Sequence, residues 1–373
     1  MTRVILTTGG TGGHIFPALA VAEALRRLEP AVQLLFIGGA GPEGELATKA
    51  GLSFVGLPAK GVFGRGLRAL AAPFWMARAF GLAAARIREF APDVVAGFGG
   101  YAGFIPVAAA RLMGVPTAIH EQNSVPGVTN KVLGRFVDRV YVTYPDDGGA
   151  FPSKRTVRLG NPIRAGIAAL GEPHPGTKHL LVLGGSQGAR AINDAVMAIL
   201  PELLNAGVKV RLQAGRADFA RIGALAADIL AGRPPIGDGG GDGDGPDVVI
   251  ENFIDDMAGA YAWADLVLAR AGATTLAEVT AAGKPSMLIP FPFATHDHQS
   301  VNAAFLARSG AAAVVAQKDL PGFDLAGTLT ALLGDPERLA AMGRAATAQA
   351  LPDAADRIAA ALLGQAGSKG DRS

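Results

Sequence analysis

Short apolar runs alternate with longer amphipathic stretches along the whole chain. Val4-Ile5-Leu6 precedes a helical pattern over residues 17–28, followed by Leu34-Leu35-Phe36-Ile37 and, further on, Asp93-Val94-Val95-Ala96. Short β-branched runs bounded by turn residues read as strands, and the 3.6-residue spacing between them as helices, giving repeated β-α-β units. The rhythm restarts after Asn161-Pro162 with Leu180-Leu181-Val182-Leu183, a helical stretch over 189–204, Val208-Lys209-Val210-Arg211-Leu212, Val248-Val249-Ile250 and Leu266-Val267-Leu268. The pattern predicts an α/β chain of two doubly wound domains, 1–161 and 162–344, each a parallel sheet covered by helices on both faces. Ligands of such sheets bind beyond the carboxyl ends of the strands, so the expected site is a cleft faced by both domains. Asp146-Asp147-Gly148-Gly149 and Gly160-Asn161-Pro162 mark the passage from one domain to the other.

Size and composition fit this outline. At 373 residues the chain exceeds the length at which a single core keeps growing. An aromatic share of only 6% suits small-residue packing of helices on sheets better than an aromatic-rich sandwich. With no cysteine there is no disulfide framework, thiolate zinc site or catalytic thiol. Met1-Thr2-Arg3 runs straight into a strand pattern without a signal peptide, which predicts a cytoplasmic protein. The uncharged stretch 94–110 is broken by glycines and falls short of the roughly 20 apolar residues a spanning helix needs. A formal net charge of +2, without a run of Lys and Arg, argues against nucleic acid as a partner. The Gly- and Asp-rich stretch 237–245 reads as a surface insertion, since one such segment is too little for a stacked calcium-binding repeat.

Three glycine loops follow predicted strands. Gly9-Gly10-Thr11-Gly12-Gly13-His14 lies between a strand and a helix, where backbone N–H groups and the helix dipole meet an anion. It is not a dinucleotide fingerprint: counted from Gly10, Ile15 stands at the third glycine, and the second strand ends in Gly38-Gly39 without a ribose-binding acid. Nor is there a phosphate-binding G-K-[ST], because Gly283-Lys284 is followed by Pro285. Gly97-Phe98-Gly99-Gly100-Tyr101-Ala102-Gly103 is dense enough in glycine to line a cavity for a bulky polar headgroup. Gly184-Gly185-Ser186-Gln187-Gly188-Ala189-Arg190 opens a helix after the first strand of the second half and is the best diphosphate candidate. Each loop alone is equally compatible with a tight strand-to-helix turn.

Taken in order, the first glycine loop with His14, Gly97-Phe98-Gly99-Gly100-Tyr101, His120-Glu121-Gln122-Asn123, Gly160-Asn161-Pro162-Ile163-Arg164, the loop 184–190 and Arg270-Ala271-Gly272-Ala273-Thr274-Thr275 resemble the MurG family, up to about Gly310. The resemblance implies the GT-B glycosyltransferase architecture, two Rossmann-like domains facing a cleft, with the donor held mainly by the second. It also implies that a last helix, about 345–365 with its core at 352–363, returns to the first domain. The implied reaction is inverting transfer of N-acetylglucosamine from UDP-GlcNAc to the 4-hydroxyl of MurNAc in undecaprenyl-pyrophosphoryl-MurNAc-pentapeptide, a lipid-linked acceptor of peptidoglycan synthesis. The implied place is the cytoplasmic face of the inner membrane. The alternatives are another GT-B enzyme, such as a UDP-GlcNAc 2-epimerase or a glycolipid transferase, and a non-catalytic UDP-sugar sensor.

Such a transfer needs a base and a means of stabilising the departing diphosphate. His14 is the first candidate base, an imidazole of ordinary pKa about 6.5 beside Thr11, Gly12 and Gly13. Glu121 is the rival, since a desolvated carboxylate also serves as a base. Ser186, with the backbone N–H groups of Gln187 and Gly188, would meet the diphosphate at a helix N-terminus in place of a metal. No Asp-x-Asp follows an apolar strand, so neither metal nor other cofactor is expected. The resemblance supports Ser186 in that role and puts Glu278 on the ribose diol, Ile254 on uracil through its backbone, Ala273, Thr274 and Thr275 on the donor, and Asn123 and Gln299 on the sugar ring. Plainer readings are a helix N-cap for Ser186 and a capping box for Thr275-Leu276-Ala277-Glu278. Arg164 offers a fixed cation for negative charge on either substrate, and Gly99, Gly100 and Tyr101 face the acceptor. His296-Asp297-His298 has no third ligand nearby, so Asp297 reads as a helix start. Finally, Phe63, Leu67, Phe74 and Trp75, interleaved with Arg65 and Arg68, fit an anionic membrane surface, although an amphipathic core helix has the same pattern.

Overall fold

The computed structural model describes residues 1–10, 12–58, 72–170, 176–185, 188–231, 246–294 and 297–370. The chain divides into two compact units, one made of Met1–Arg164 with Leu351–Ser373 and the other of Ala165–Ala350.

In the first unit the strands β1 (Arg3–Thr7), β2 (Gln33–Gly38), β3 (Ser53–Gly56), β4 (Val94–Gly97), β5 (Thr117–Glu121), β6 (Arg139–Val142) and β7 (Thr156–Arg158) are separated by α1 (Gly12–Leu28), α2 (Glu43–Lys49), α3 (Ala72–Phe90), α4 (Gly100–Leu112) and α5 (Val128–Leu133). Among the described residues the strands form one parallel seven-stranded sheet in the order β3-β2-β1-β4-β5-β6-β7. Both faces are covered, which is why the strands read as nearly unbroken apolar runs. Val4 and Leu6 pack on one side with Val21 and Leu25 of α1, while Ile5 packs on the other with Ala83 and Ile87 of α3 and Ile105 of α4. Chain order reverses between β1 and β4, so the two glycine-rich loops that leave these strands flank the switch point, where such sheets bind ligands.

The second unit repeats the plan with β8 (His179–Leu183), α6 (Arg190–Asn205), β9 (Lys209–Gln213), α7 (Phe219–Ala231), β10 (Val248–Glu251), α8 (Met257–Trp263), β11 (Leu266–Ala269), α9 (Ala273–Ala281), β12 (Ser286–Leu288), α10 (His298–Arg308), β13 (Ala312–Val314), α11 (Leu325–Leu333) and α12 (Pro336–Thr347). Its described strands form a parallel six-stranded sheet, β10-β9-β8-β11-β12-β13, with the switch between β8 and β11. Ile192, Val196, Leu200 and Leu203 form the helical stripe that seats α6 on Leu180 and Val182.

The final helix, α13 (Ala354–Gly370), belongs to the first unit. Ile358, Ala359 and Leu362 enter the cluster that holds Val21 and Leu25, the Tyr141 hydroxyl donates to Gln365 Oε1 at 3.1 Å, and Arg27 pairs with Asp356. The division between units falls after Arg164, α12 stays with the second unit, and α13 runs beyond residue 363. Pro17, taken from the sequence as a helix start, lies inside α1, because the glycine turn passes directly into helix at Gly12. Among the described residues no helix is long and apolar enough to cross a membrane. The insertion 237–245 lies outside the described residues.

Candidate active site

In the first unit the two glycine loops touch. Gly9 N–H donates to Gly99 O at 3.1 Å, and Phe98 N–H to Thr7 O at 2.8 Å. A Cβ on Gly100 would stand 2.0 Å from Gly9 O, and Gly100 has φ +79°, so only glycine permits this approach. Gly99, Gly100 and Tyr101 are therefore less of a loop than the glycine content predicts: Gly99 is the N-cap of α4 and the other two form its first turn. Tyr101 is half-buried, and burial pushes its phenol up, which keeps it a hydrogen-bond donor at neutral pH.

His14 stands in the first turn of α1, behind Gly12 and Gly13, with Nδ1 3.2 Å from Gly9 O. A carbonyl can only accept, so Nδ1 carries the proton and the lone pair of the neutral ring is on Nε2. The ring lies against Gly99, where a Cβ would come within 3.2 Å of Nε2. Beneath the loop, buried Glu43 accepts the Gly10 N–H at 2.9 Å. Arg164 places its guanidinium 5.0 Å from the centre of the Phe16 ring on α1. Thr11 lies outside the described residues.

Glu121 ends β5 and is 2% exposed. Its carboxylate accepts hydrogen bonds from Asn123 N (3.0 Å), Asn123 Nδ2 (3.3 Å), Gly127 N (3.0 Å) and Asn130 Nδ2 (2.9 Å). This is the geometry of a turn anchor, and Asn123 is part of that turn. Gln122 ties the same segment to the second glycine loop by donating to Phe98 O at 3.0 Å. His120, fully buried, bonds Gly160 O through Nε2 at 2.9 Å. Burial pulls its imidazole down to about 4, against a raising effect of the Gly160 carbonyl and with a smaller lowering effect of His14. His120 is thus neutral in the folded protein, and its contribution to stability, whole above the ordinary value near 6.5, is lost as pH falls toward about 4. The loss amounts to about 3 kcal/mol at most. Urea midpoints measured at pH 7 and pH 4.5 are expected to differ by less in His120→Leu than in the wild type.

In the second unit the loops after β8 and β11 again flank the switch point. Gly188, with φ +76°, has room for no Cβ, which would stand 2.2 Å from Ala214 O. Ser186 and Gln187 lie outside the described residues. Ile254 is buried, with its N–H donated to Gln213 Oε1 at 3.0 Å. Helix α9 starts at Ala273 with Gly272 as N-cap, so Thr274 and Thr275 lie inside its first turn and the capping-box reading fails. Glu278 is instead 2% exposed inside α9, accepting the Tyr261 hydroxyl at 3.2 Å. Gln299 on α10 accepts the Phe291 N–H at 2.9 Å. Asp297 stands at the N-cap of α10, but its side chain accepts from the Ser300 hydroxyl, and its neighbour His296 lies outside the described residues.

Helix starts in the chain are of two kinds, and α4, α6 and α9, which follow switch-point strands, share with α2, α5 and α10 a start without a side-chain cap. Asp256, Asp324 and Asp335 cap α8, α11 and α12 with side-chain hydrogen bonds. The N-caps of α4, α6 and α9 are Gly99, Ala189 and Gly272, which bring no capping side chain. A helix start of that kind presents backbone N–H groups to an anion. Arg270, at the end of β11, is buried and donates to Ile289 O (3.0 Å), Pro290 O (3.2 Å) and Gln317 Oε1 (2.6 Å), and burial lowers its guanidinium to about 10. It fastens the segment carrying Phe291 to the start of α9.

Residues 4–142 match the Glycosyltransferase family 28 N-terminal domain, and residues 179–358 match the Glycosyltransferase family 28 C-terminal domain. The chain is 79% identical, over 100% of both sequences, to the UDP-N-acetylglucosamine--N-acetylmuramyl-(pentapeptide) pyrophosphoryl-undecaprenol N-acetylglucosamine transferase of Solidesulfovibrio magneticus. The chain belongs to the MurG family. The transferase of the same name from Nitratidesulfovibrio vulgaris is 54% identical over 97% of each chain. The crystal structure of MurG from Acinetobacter baumannii covers 98% of this chain and 100% of its own at 32% identity, with a TM-score of 0.74. The two parallel sheets are those of the GT-B architecture expected from the motifs.

Sequence reasoning missed Glu43, Gln213 and the buried side of Arg270. Glu43 sits in Gly41-Pro42-Glu43, which reads as a surface turn, and Gln213 falls just past the last apolar residue of its strand. A polar residue at the carboxyl end of the strand beside β8, the strand that leads into the third glycine loop, is the one signal that pointed to Gln213.

Proposed function

We propose that the protein transfers N-acetylglucosamine from UDP-GlcNAc to the 4-hydroxyl of the muramoyl unit of an undecaprenyl-pyrophosphoryl-linked MurNAc-pentapeptide. The full-length 79% identity to a transferase named for this reaction carries the assignment. The hydroxyl oxygen forms a bond to the anomeric carbon, the bond from that carbon to the UDP oxygen breaks, and UDP leaves with the electron pair. His14 Nε2 takes the hydroxyl proton, in keeping with the Nδ1 proton directed at Gly9 O. In the second unit, Ser186 and the backbone of Gln187 and Gly188 hold the diphosphate, supported by the helix start at α6. Glu278 accepts from the ribose diol, Ile254 faces uracil, and Ala273, Thr274 and Thr275 line the donor at the uncapped start of α9. Arg164 meets negative charge, Asn123 and Gln299 the sugar, and Gly99, Gly100 and Tyr101 the acceptor.

The charge developing on the leaving group is met by backbone dipoles, so no metal is required in this reading. The acceptor is held at an anionic membrane surface on the cytoplasmic side of the inner membrane. Phe74 on α3, 77% exposed, and the exposed Arg78 and Arg88 support that contact. Trp75 supports it less, because it is half-buried against the core, while Phe63, Arg65, Leu67 and Arg68 lie outside the described residues.

The test is incubation of purified protein with labelled UDP-GlcNAc and a lipid-linked MurNAc-pentapeptide in excess EDTA. Formation of the disaccharide lipid at the rate seen with added Mg²⁺ is expected. Binding of UDP-GlcNAc without disaccharide, with or without metal, would instead favour a sensor, and release of a 2-epimerised sugar an epimerase.

A further inference from the structure

Three parallel strands of the second unit end side by side, and the middle one ends in Gln213. In register it pairs with Leu183 of β8 on one side and Glu251 of β10 on the other. The chain continues from Leu183 into the glycine loop 184–188, and from Glu251 into the segment that contains Ile254. Gln213 is 5% exposed and its side chain reaches both continuations: Nε2 donates to Gly185 O at 2.9 Å, and Oε1 accepts the Ile254 N–H at 3.0 Å. The partners fix the amide orientation, since a carbonyl only accepts and an N–H only donates.

We infer that Gln213 is a positioning residue that ties Gly185, at the entry to the diphosphate loop, to the nucleobase segment at Ile254, setting both for a nucleoside diphosphate. The inference rests on the donor-binding reading above. Gly185 O illustrates why the tie matters. A carbonyl dipole turned toward a diphosphate would repel it, and here the oxygen is engaged by two donors, the Gln213 amide and the Gly188 N–H at 3.0 Å. A glutamine supplies a donor and an acceptor from one planar amide, whereas glutamate has no donor when ionised, lysine and arginine no acceptor, and asparagine is one carbon short. Just beyond Gln213, Ala214 O receives Asn193 Nδ2 at 3.0 Å and lies where Gly188 admits no Cβ, so the strand end is also packed under the loop.

The arrangement separates two contributions to affinity, and uridine and UDP as probes read them apart. Removing both bonds in Gln213→Leu is expected to weaken uridine by a few-fold and UDP by about tenfold more than uridine, the equivalent of about 1.4 kcal/mol on the diphosphate increment. Gln213→Glu keeps the acceptor for Ile254 but sets a carboxylate against Gly185 O. Uridine affinity should then stay near that of the wild type while UDP affinity falls by at least tenfold, again about 1.4 kcal/mol. In turnover, KM for UDP-GlcNAc should rise much more than kcat falls, with KM for the acceptor unchanged. Titration calorimetry with both probes on wild type and the two variants, alongside thermal melts, makes the test. Equal loss of uridine and UDP affinity in both variants, or loss of neither, would overturn the inference. A wild-type protein that binds no UDP would instead remove the donor reading beneath it.

Discussion

His14→Ala is expected to lower kcat by about 10²- to 10⁴-fold, the range for loss of a positioned general base, with donor affinity unchanged. The expectation rests on the ring's tautomer as much as its place. Gly9 O, itself fixed where Gly100 lets the two glycine loops meet, accepts from Nδ1 and so sets the basic lone pair on Nε2. The residue holding that carbonyl in turn is part of the same turn, whose next N–H is bound by buried Glu43. An imidazole base also imposes an acid limb on kcat/KM: activity falls as pH drops and the ring takes up a proton before the substrate can supply one. That limb should vanish from the residual activity of His14→Ala. The ring is only partly buried, so the substitution should leave the thermal midpoint nearly unchanged, and single-turnover kinetics at saturating donor will read the chemical step alone. Retention of kcat within about tenfold of the wild type would remove His14 from the role of base.

Burial leaves a trace along the chain, whereas bonds between distant segments do not. Alternation of apolar runs made the two parallel sheets legible, because burial on both faces leaves a continuous signature in central strands such as β1, β4, β8 and β11. The glycine loops were legible for a related reason, since close backbone approach and positive φ at Gly100 and Gly188 exclude other residues. What stayed hidden is side-chain bonding between distant segments. Gln213 reaches Ile254 and Gly185, and Glu43 reaches Gly10, across separations of 41, 28 and 33 residues that leave no periodicity in the sequence. The same gap explains the misreading at Thr275: the capping-box spacing was present, but the helix starts earlier, at Ala273 after the N-cap Gly272, and Glu278 bonds Tyr261. It also left Glu121 standing only as the rival base, a reading to set against the turn anchor that its hydrogen bonds describe.

Glu121→Gln distinguishes those readings and is expected to destabilise the first unit by about 3–5 kcal/mol, the scale for breaking a buried, charge-assisted hydrogen-bond cluster. Both carboxylate oxygens face N–H donors, Asn123 on one side and Gly127 with Asn130 on the other. A glutamine can satisfy one side, but its amide nitrogen then confronts donors on the other and leaves them buried without an acceptor. The segment affected joins β5 to α5 and, through Gln122, supports the second glycine loop against which His14 lies. Activity should therefore fall through misplacement of that loop and loss of folded protein, with the acid limb of kcat/KM retained in the fraction that folds. Urea unfolding gives the stability, and kinetics at low temperature, where the folded fraction is largest, gives the profile. A variant as stable as the wild type that has lost both turnover and the acid limb would make Glu121 the base and reduce His14 to a structural neighbour of the glycine turn. A destabilised variant that keeps the limb would leave the proton with His14 and give the glutamate the work of holding the turn.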